Sequence, residues 1–452
     1  MFIDNQYIKE ILKVNPTYED VLSVIHRSRE GESLSHKDIA VLLNAEDEKS
    51  IALVFDEASR IKSKYYGNRV VLFAPLYVSD YCTNNCTYCG YKRSNDFTRR
   101  KLSYDEIKEE VKFLEELGHK RLALEVGEDE VNFDFETILS SIDAIYENSS
   151  IRRINVNIAP VSVEKFSRLK AKNIGTYILF QETYDKKMYE KYHSKSLKGD
   201  FDRQLYAHHN AMKGGIDDVG GGVLFGLSDY KFEVLCLMLH NEELEKEFNV
   251  GFHTVSVPRI RKAIGMEINE FNHLVSDEEF KKLVAIIRIA IPFTGIILST
   301  RESEVMRQEL IDLGITQISA GSQTGVGGYK DSQSGKASLQ FATNDERSPI
   351  EVIKDLIRRG YLPSYCTACY RVGRVGQDFM DIVKANKIHL LCHPNSLITF
   401  TEYIEDYGDE ELKTLGYKLI ENELAKIENI EFRKKVSEKV DLIRKGERDL
   451  YV

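Results

Sequence analysis

No stretch of the 452 residues is apolar over the roughly 18–20 positions that a membrane-spanning helix requires, so the sequence offers nothing to cross a membrane. Basic residues are outnumbered, 62 lysines and arginines against 72 acids, for a net charge of −10. That balance excludes a non-specific nucleic-acid binder, which needs a basic surface to displace phosphate counterions. Only 8 prolines occur, with no low-complexity segment, which argues against long disordered linkers. The opening MFIDNQYIKEILKV has no basic leader ahead of an apolar stretch and therefore reads as cytoplasmic. Cysteine is scarce too, at 7 residues, and without a secretory route these point to metal or redox chemistry rather than a disulfide framework.

What is present is enough for a large folded body. Hydrophobic residues make up 42% and charged residues 30%, so a core can form. Residues 1–65 read as a helical extension, with a polar stretch near Arg29–Lys37 between helical patterns. Short β-branched runs then recur at Val70–Val78, Arg121–Val126, Ile154–Ala159, Thr176–Phe180, Asp218–Phe225, Phe252–Val257, Gly295–Ser299 and Thr316–Ala320. Helical patterns fill most intervals. Ser103 with Glu106 makes a capping box, Ile107, Val111 and Leu114 share a face, and Gly118 supplies a stop. The fold class expected is α/β, a (β/α)8 TIM barrel over 66–348, with a partial six-strand barrel as the alternative. Ser348-Pro349-Ile350-Glu351 opens a helical C-terminal domain, 349–452.

Six of the cysteines fall in two groups. Cys82, Cys86 and Cys89, spaced C-x3-C-x2-C with Tyr88 before the third, follow the first strand run directly. Three thiolates on a short loop can hold three irons of a cubane and leave the fourth open, whereas a structural zinc wants four ligands. The motif resembles that of the radical S-adenosylmethionine enzymes. In those, the open iron chelates the cofactor's methionine portion, and one-electron reduction yields a 5′-deoxyadenosyl radical. The loop's place at the C-terminal end of a barrel strand is where barrel chemistry sits.

The other strand ends are read in the light of that resemblance. Gly127 and Glu128, before Asp129, become a seat for the methionine amine, or simply the start of a helix. Glu182, in Gln181-Glu182-Thr183-Tyr184, becomes a holder of ribose hydroxyls, or a helix cap. Gly220-Gly221-Gly222 implies close approach beside the adenine, or a bulge without ligand. Arg301 is the candidate for a substrate carboxylate, because a guanidinium grips it with two parallel hydrogen bonds, with Ser299 and Ser322 as further contacts. The alternative pairs Arg301 with Glu302 or Glu304 at the rim.

The second group, Cys366, Cys369 and Cys392, is spaced C-x2-C-x22-C. It fits a second iron–sulfur cluster with an open iron, or a zinc site completed by His389. Cys236, in an apolar stretch, reads as a buried small hydrophobe. Both groups, together with Ser364–Arg371 and His253-Thr254-Val255-Ser256-Val257-Pro258-Arg259, closely resemble the HydG family of tyrosine lyases that mature the iron–iron hydrogenase. The related thiamine-pathway 2-iminoacetate synthase is similar through the barrel but lacks the second triad.

The resemblance implies that L-tyrosine is cleaved to p-cresol and dehydroglycine. The fragment would then give carbon monoxide and cyanide at an auxiliary cluster, on an extra iron held by free L-cysteine and His253. A lone strand histidine could equally belong to core or rim. The resemblance also implies an electron donor such as ferredoxin or flavodoxin, other hydrogenase maturases as partners, and a channel through the barrel. Some positions depart from the family pattern: Gln204 and Asn210 stand where arginines are expected, and Gln323 and Glu130 are atypical. Arg203 is a candidate substitute for the missing cofactor-carboxylate arginine, though on a helix it points about 100° from Gln204. Two narrower readings are a lyase that stops at dehydroglycine and a carrier of clusters without turnover.

Overall fold

The computed structural model describes residues 2–331 and 339–452. The chain begins with α1 (Asn5–Ile11), α2 (Tyr18–Glu30), α3 (His36–Asn44) and α4 (Glu48–Tyr66). Thr17 and Ser35 start α2 and α3 with reciprocal capping boxes to Asp20 and Asp38, satisfying backbone donors that a helix start leaves open. α4 lies along the outer helices Asp277–Ala290 and Glu304–Leu313, and Lys282 Nζ donates to the Leu43 carbonyl at 2.9 Å.

Eight parallel strands follow: β1 (Arg69–Ser79), β2 (Arg121–Val126), β3 (Arg153–Asn157), β4 (Thr176–Ile178), β5 (Asp218–Gly222), β6 (Thr254–Ser256), β7 (Gly295–Leu298) and β8 (Gln317–Ser319). They pair in sequence order, and β1 pairs with both β8 and β2, so the barrel closes and the six-strand alternative falls. The crossover after β1 is α5 (Tyr104–Glu116), which opens with the Ser103–Glu106 capping box and buries Ile107, Val111 and Leu114. Gly118, at φ +84°, turns the chain back toward β2.

Barrels of this kind normally fill their interior with layers of valine, isoleucine and leucine. Here the lumen carries Glu125, Asn155, Asn157, Ser256, Gln317 and Ser319. Register puts Tyr77 opposite Glu125 and Glu125 opposite Asn157, so one polar row crosses β1, β2 and β3. The barrel wall is thus built for contents.

The region after residue 348 is mostly helical, but it also contributes β9 (Leu362–Ser364), which pairs with the lower end of β1 at Arg69–Val71. That pairing delivers Cys366, just past β9, beneath the barrel. The helix Cys392–Tyr407 packs on β9 and brings Cys392 to the same place. No helix among the described residues is long and apolar enough to cross a membrane.

Candidate active site: two three-cysteine cavities in one barrel

A cavity of about 230 Å³ opens at the C-terminal mouth of the barrel. Its lining includes Cys82, Cys86 and Cys89, and also Tyr88, Gly127, Glu128, Glu182, Gln204, Ser299, Arg301 and Ser322. Burial pushes the thiol of Cys86 upward and that of Cys89 up to about 11, and both sense the charge of Cys82. Buried thiols resist ionisation by themselves, and cationic iron reverses that preference. Among the described residues no group of three His, Cys, Asp or Glu side chains is arranged to hold a single metal ion.

The loop is held from several sides. Gly127 packs so tightly that a Cβ there would meet the Tyr81 carbonyl oxygen at 2.3 Å, and Thr83 N donates to the Glu128 carbonyl at 2.9 Å. His193 Nδ1 lies 2.8 Å from the Tyr189 carbonyl, an acceptor only, so Nε2 accepts from the Tyr88 hydroxyl at 2.7 Å. Burial pushes the His193 pKa down to about 3, which keeps that acceptor neutral. Glu182, in the left-handed backbone region at φ +67°, is paired with Lys198 at 2.6 Å. Glu182 therefore does not cap a helix.

Arg203 does not enter the cavity as a substitute for an arginine at 204. Its Nη2 donates to Glu128 Oε1 at 2.6 Å and to the Pro160 carbonyl, while Gln204 lines the cavity and donates to the Phe180 carbonyl at 2.7 Å. The rotation between adjacent helical residues separates the two roles: Gln204 faces inward and Arg203 orients Glu128. The glycines of β5 do not line the cavity either; the space a Cβ at Gly222 would need holds the Phe180 ring at 2.6 Å. Glu130 lies outside, paired with Lys165 at the surface.

Arg301 has no acidic partner within ion-pair distance among the described residues, and its guanidinium stands 3.5 Å from the Phe341 ring centroid. The candidate rim partners are taken, Glu302 by Arg259 at 2.6 Å and Glu304 by Arg347 at 3.1 Å. Ser322 Oγ is buried without a hydrogen-bond partner among the described residues, and Ser299 Oγ accepts from Arg301 N at 3.4 Å. A cation and two hydroxyls therefore face the cavity with bonding capacity to spare.

A second cavity, of about 80 Å³, lies at the opposite mouth and is lined by Cys366, Cys369, Cys392 and His253. The Cys369 thiol donates toward Cys392, which, with Arg69, holds the Cys392 thiol below its usual range, while Cys369 is pushed up. Burial pushes Cys366 up to about 11. His253 Nδ1 lies 3.2 Å from Asp218 Oδ1, which orients the ring at the cavity wall. His389 is exposed and does not line this cavity, so the zinc alternative loses its fourth ligand. Gln317 lines both cavities.

A family model of the radical SAM superfamily matches residues 76–239, and one for the biotin and thiamin synthesis associated domain matches 256–362. A 2-iminoacetate synthase of Salmonella typhimurium is 30% identical over 355 residues, spanning 78% of this chain and 92% of its own. A crystal structure of HydG, a maturase of the FeFe-hydrogenase, superposes with a TM-score of 0.97 at 49% identity, covering 100% of both chains. The chain belongs to the HydG family of radical SAM enzymes. A second HydG structure, from Carboxydothermus hydrogenoformans, has a TM-score of 0.86 at 38% identity over 97% of both chains.

Membership in the HydG family implies a four-iron cluster and S-adenosylmethionine, and the upper cavity fits them. It offers three thiols, a tightly packed turn at Gly127, and the carboxylates of Glu128 and Glu182 held in place by Arg203 and Lys198. Sequence reasoning missed Lys198, His193, Glu125 and Gln317. His193 at the end of the helix Lys186–Tyr192 and Lys198 in the 3-10 turn Leu197–Gly199 follow β4 with no motif to mark them, and the inward facing of Glu125 and Gln317 appears only once the register is known.

Proposed function

We propose that the protein is a tyrosine lyase that cleaves the Cα–Cβ bond of L-tyrosine to p-cresol and dehydroglycine. The fragment then yields carbon monoxide and cyanide at a second cluster, building an iron carbonyl cyanide unit for the hydrogenase. One observation carries this reading: a single closed barrel holds a three-cysteine cavity at each mouth, with Gln317 lining both. The polar lumen between them supports passage of a small polar fragment without release to solvent.

Bound at Cys82, Cys86 and Cys89, the cluster with S-adenosylmethionine would supply an adenosyl radical that removes a hydrogen atom from the substrate's amino group. Tyr88, Gly127, Glu128, Glu182 and Gln204 would seat that cofactor, with Arg203 and Lys198 fixing the two carboxylates. Arg301 grips the tyrosine carboxylate with two parallel hydrogen bonds, and Ser299 and Ser322 add hydroxyl contacts. Cys366, Cys369 and Cys392 would hold the second cluster, which would supply iron for the diatomic ligands. Asp218 fixes His253, which with free L-cysteine would bind the extra iron. Electrons would come from a ferredoxin or flavodoxin, and other maturases would receive the product. Seven cysteines, six of them in two groups suited to iron–sulfur chemistry, fit a cytoplasmic setting.

The test is anaerobic turnover of reconstituted protein with reductant, S-adenosylmethionine and tyrosine. The proposal predicts p-cresol, cyanide and carbon monoxide. Absence of p-cresol would sink it; cresol without the diatomic products would reduce it to a lyase stopping at dehydroglycine.

A further inference from the structure

Taking a hydrogen atom from an ammonium nitrogen leaves a positive charge and an unpaired electron on one atom, whereas a neutral amine leaves an uncharged radical. Cleavage as proposed above therefore needs the α-amine deprotonated in the cavity, which near neutral pH calls for a base within it. The upper cavity narrows the choice. Its lining has three carboxyls among the described residues. Glu128 is paired with Arg203 and Glu182 with Lys198, each at 2.6 Å, whereas Glu125 accepts a single hydrogen bond, from Asn157 Nδ2 at 2.8 Å, and has no cationic partner. Tyr77, Tyr88 and Tyr91 are held well above the ordinary tyrosine range by burial and cannot serve as bases near neutrality. The cavity thiols are needed for iron.

Position supports the same group. Glu125 sits at the C-terminal end of β2, in the row that continues to Tyr77 on β1 and Asn157 on β3. Its carboxyl senses the charge of Arg301 across the cavity. An amino acid whose carboxylate rests on Arg301 carries its amine on the adjacent carbon, inside the cavity that Glu125 also lines. We propose that Glu125 is the catalytic base that takes a proton from the substrate's α-ammonium group before the nitrogen gives up its hydrogen atom. In that step the N–H bond breaks as an O–H bond forms. Ammonium and carboxylate become amine and carboxylic acid, with no net change of charge or electrons.

The charged and titratable groups facing Glu125 are Arg301, which lowers its pKa, and the neutral phenols of Tyr77 and Tyr91. Burial outweighs the Asn157 hydrogen bond and Arg301 and brings the carboxyl up to about 8, far nearer the α-ammonium range than an exposed glutamate lies.

This inference rests on the tyrosine-lyase reading, and its test separates the two. The fully reconstituted protein and its Glu125→Gln variant, which keeps an acceptor for Asn157, are compared for p-cresol formation from pH 7 to 10, and tyrosine binding is measured on the metal-free proteins. Glu125→Gln should lower p-cresol formation at pH 7.5 by about 100-fold or more, recover toward pH 10 as the free amine appears unaided, and bind tyrosine within about threefold of wild type. Glu125→Asp should restore part of the rate. A rate at pH 7.5 within threefold of wild type overturns the assignment. So does an equal loss at every pH, or a fall in tyrosine affinity as large as the fall in rate. Wild-type protein that makes no p-cresol overturns the lyase reading and this base with it.

Discussion

Substituting Arg301 by glutamine should separate binding from stability in a way few buried arginines allow. Burial holds the guanidinium's pKa below the usual arginine value, and among the described residues no carboxylate lies within ion-pair distance of it. In the proposed complex it makes two charge-assisted hydrogen bonds to the substrate carboxylate. At roughly 1.5–3 kcal/mol for each bond to a charged group, and with glutamine keeping one neutral donor, the net loss is about 3 kcal/mol, or about 150-fold. Tyramine, which shares the phenol and amine but lacks the carboxylate, should bind the wild-type protein about 150-fold more weakly than tyrosine, and Arg301→Gln should erase that preference. The melting temperature should hold or rise, because the substitution removes an uncompensated charge. Arg307 is the internal control: it pairs with buried Asp345 at 2.5 Å, and Arg307→Gln removes one of that carboxylate's two cationic partners, Arg347 remaining at 2.7 Å, so the melting temperature should fall. Calorimetric binding and thermal melts on metal-free protein read both effects. An Arg301→Gln protein that still prefers tyrosine to tyramine would refute the carboxylate assignment.

Other outcomes follow from the same geometry. Burial lowers His119 and His208 to about 4 and His193 to about 3, below the unfolded value near 6.5. These groups are neutral in the fold, so stability is full above pH 6.5 and is lost as pH falls toward 4, by roughly 2 kcal/mol per histidine at pH 5; a melting temperature equal at pH 7 and pH 5 would contradict this. Gly127→Ala places a Cβ against the Tyr81 carbonyl and should strip iron from the first site while sparing the second, as counted by iron content and electron paramagnetic resonance. Tyr88→Phe leaves His193 Nε2 buried without its donor, at a cost of about 1–3 kcal/mol, and should speed chelator release of iron from the first site alone.

The barrel was legible because eight β-branched runs with crossover-length spacing have few other solutions. The run ends were not, since apolar residues continue past the ladder: Asp218–Phe225 reads as one run, yet β5 stops at Gly222. β9 escaped altogether, being three residues long with a proline at its centre, and its pairing with β1 is a long-range choice that no local pattern records. The two triads were plain from cysteine spacing. Which arginine or glutamine faces inward was not. Arg203 and Gln204 are neighbours on one short helix, and only the docking of that helix decides that Gln204 lines the cavity while Arg203 holds Glu128. Glu125 was hidden for a related reason, as a charged residue inside a run that otherwise reads as a buried strand.

The claim that the two mouths of one barrel do separate chemistry is tested most directly by a Cys366→Ala/Cys369→Ala variant turned over anaerobically with tyrosine beside the wild type. Carbon monoxide should vanish while p-cresol stays within about twofold. Loss of both products in equal measure, or carbon monoxide at the wild-type yield, would contradict it.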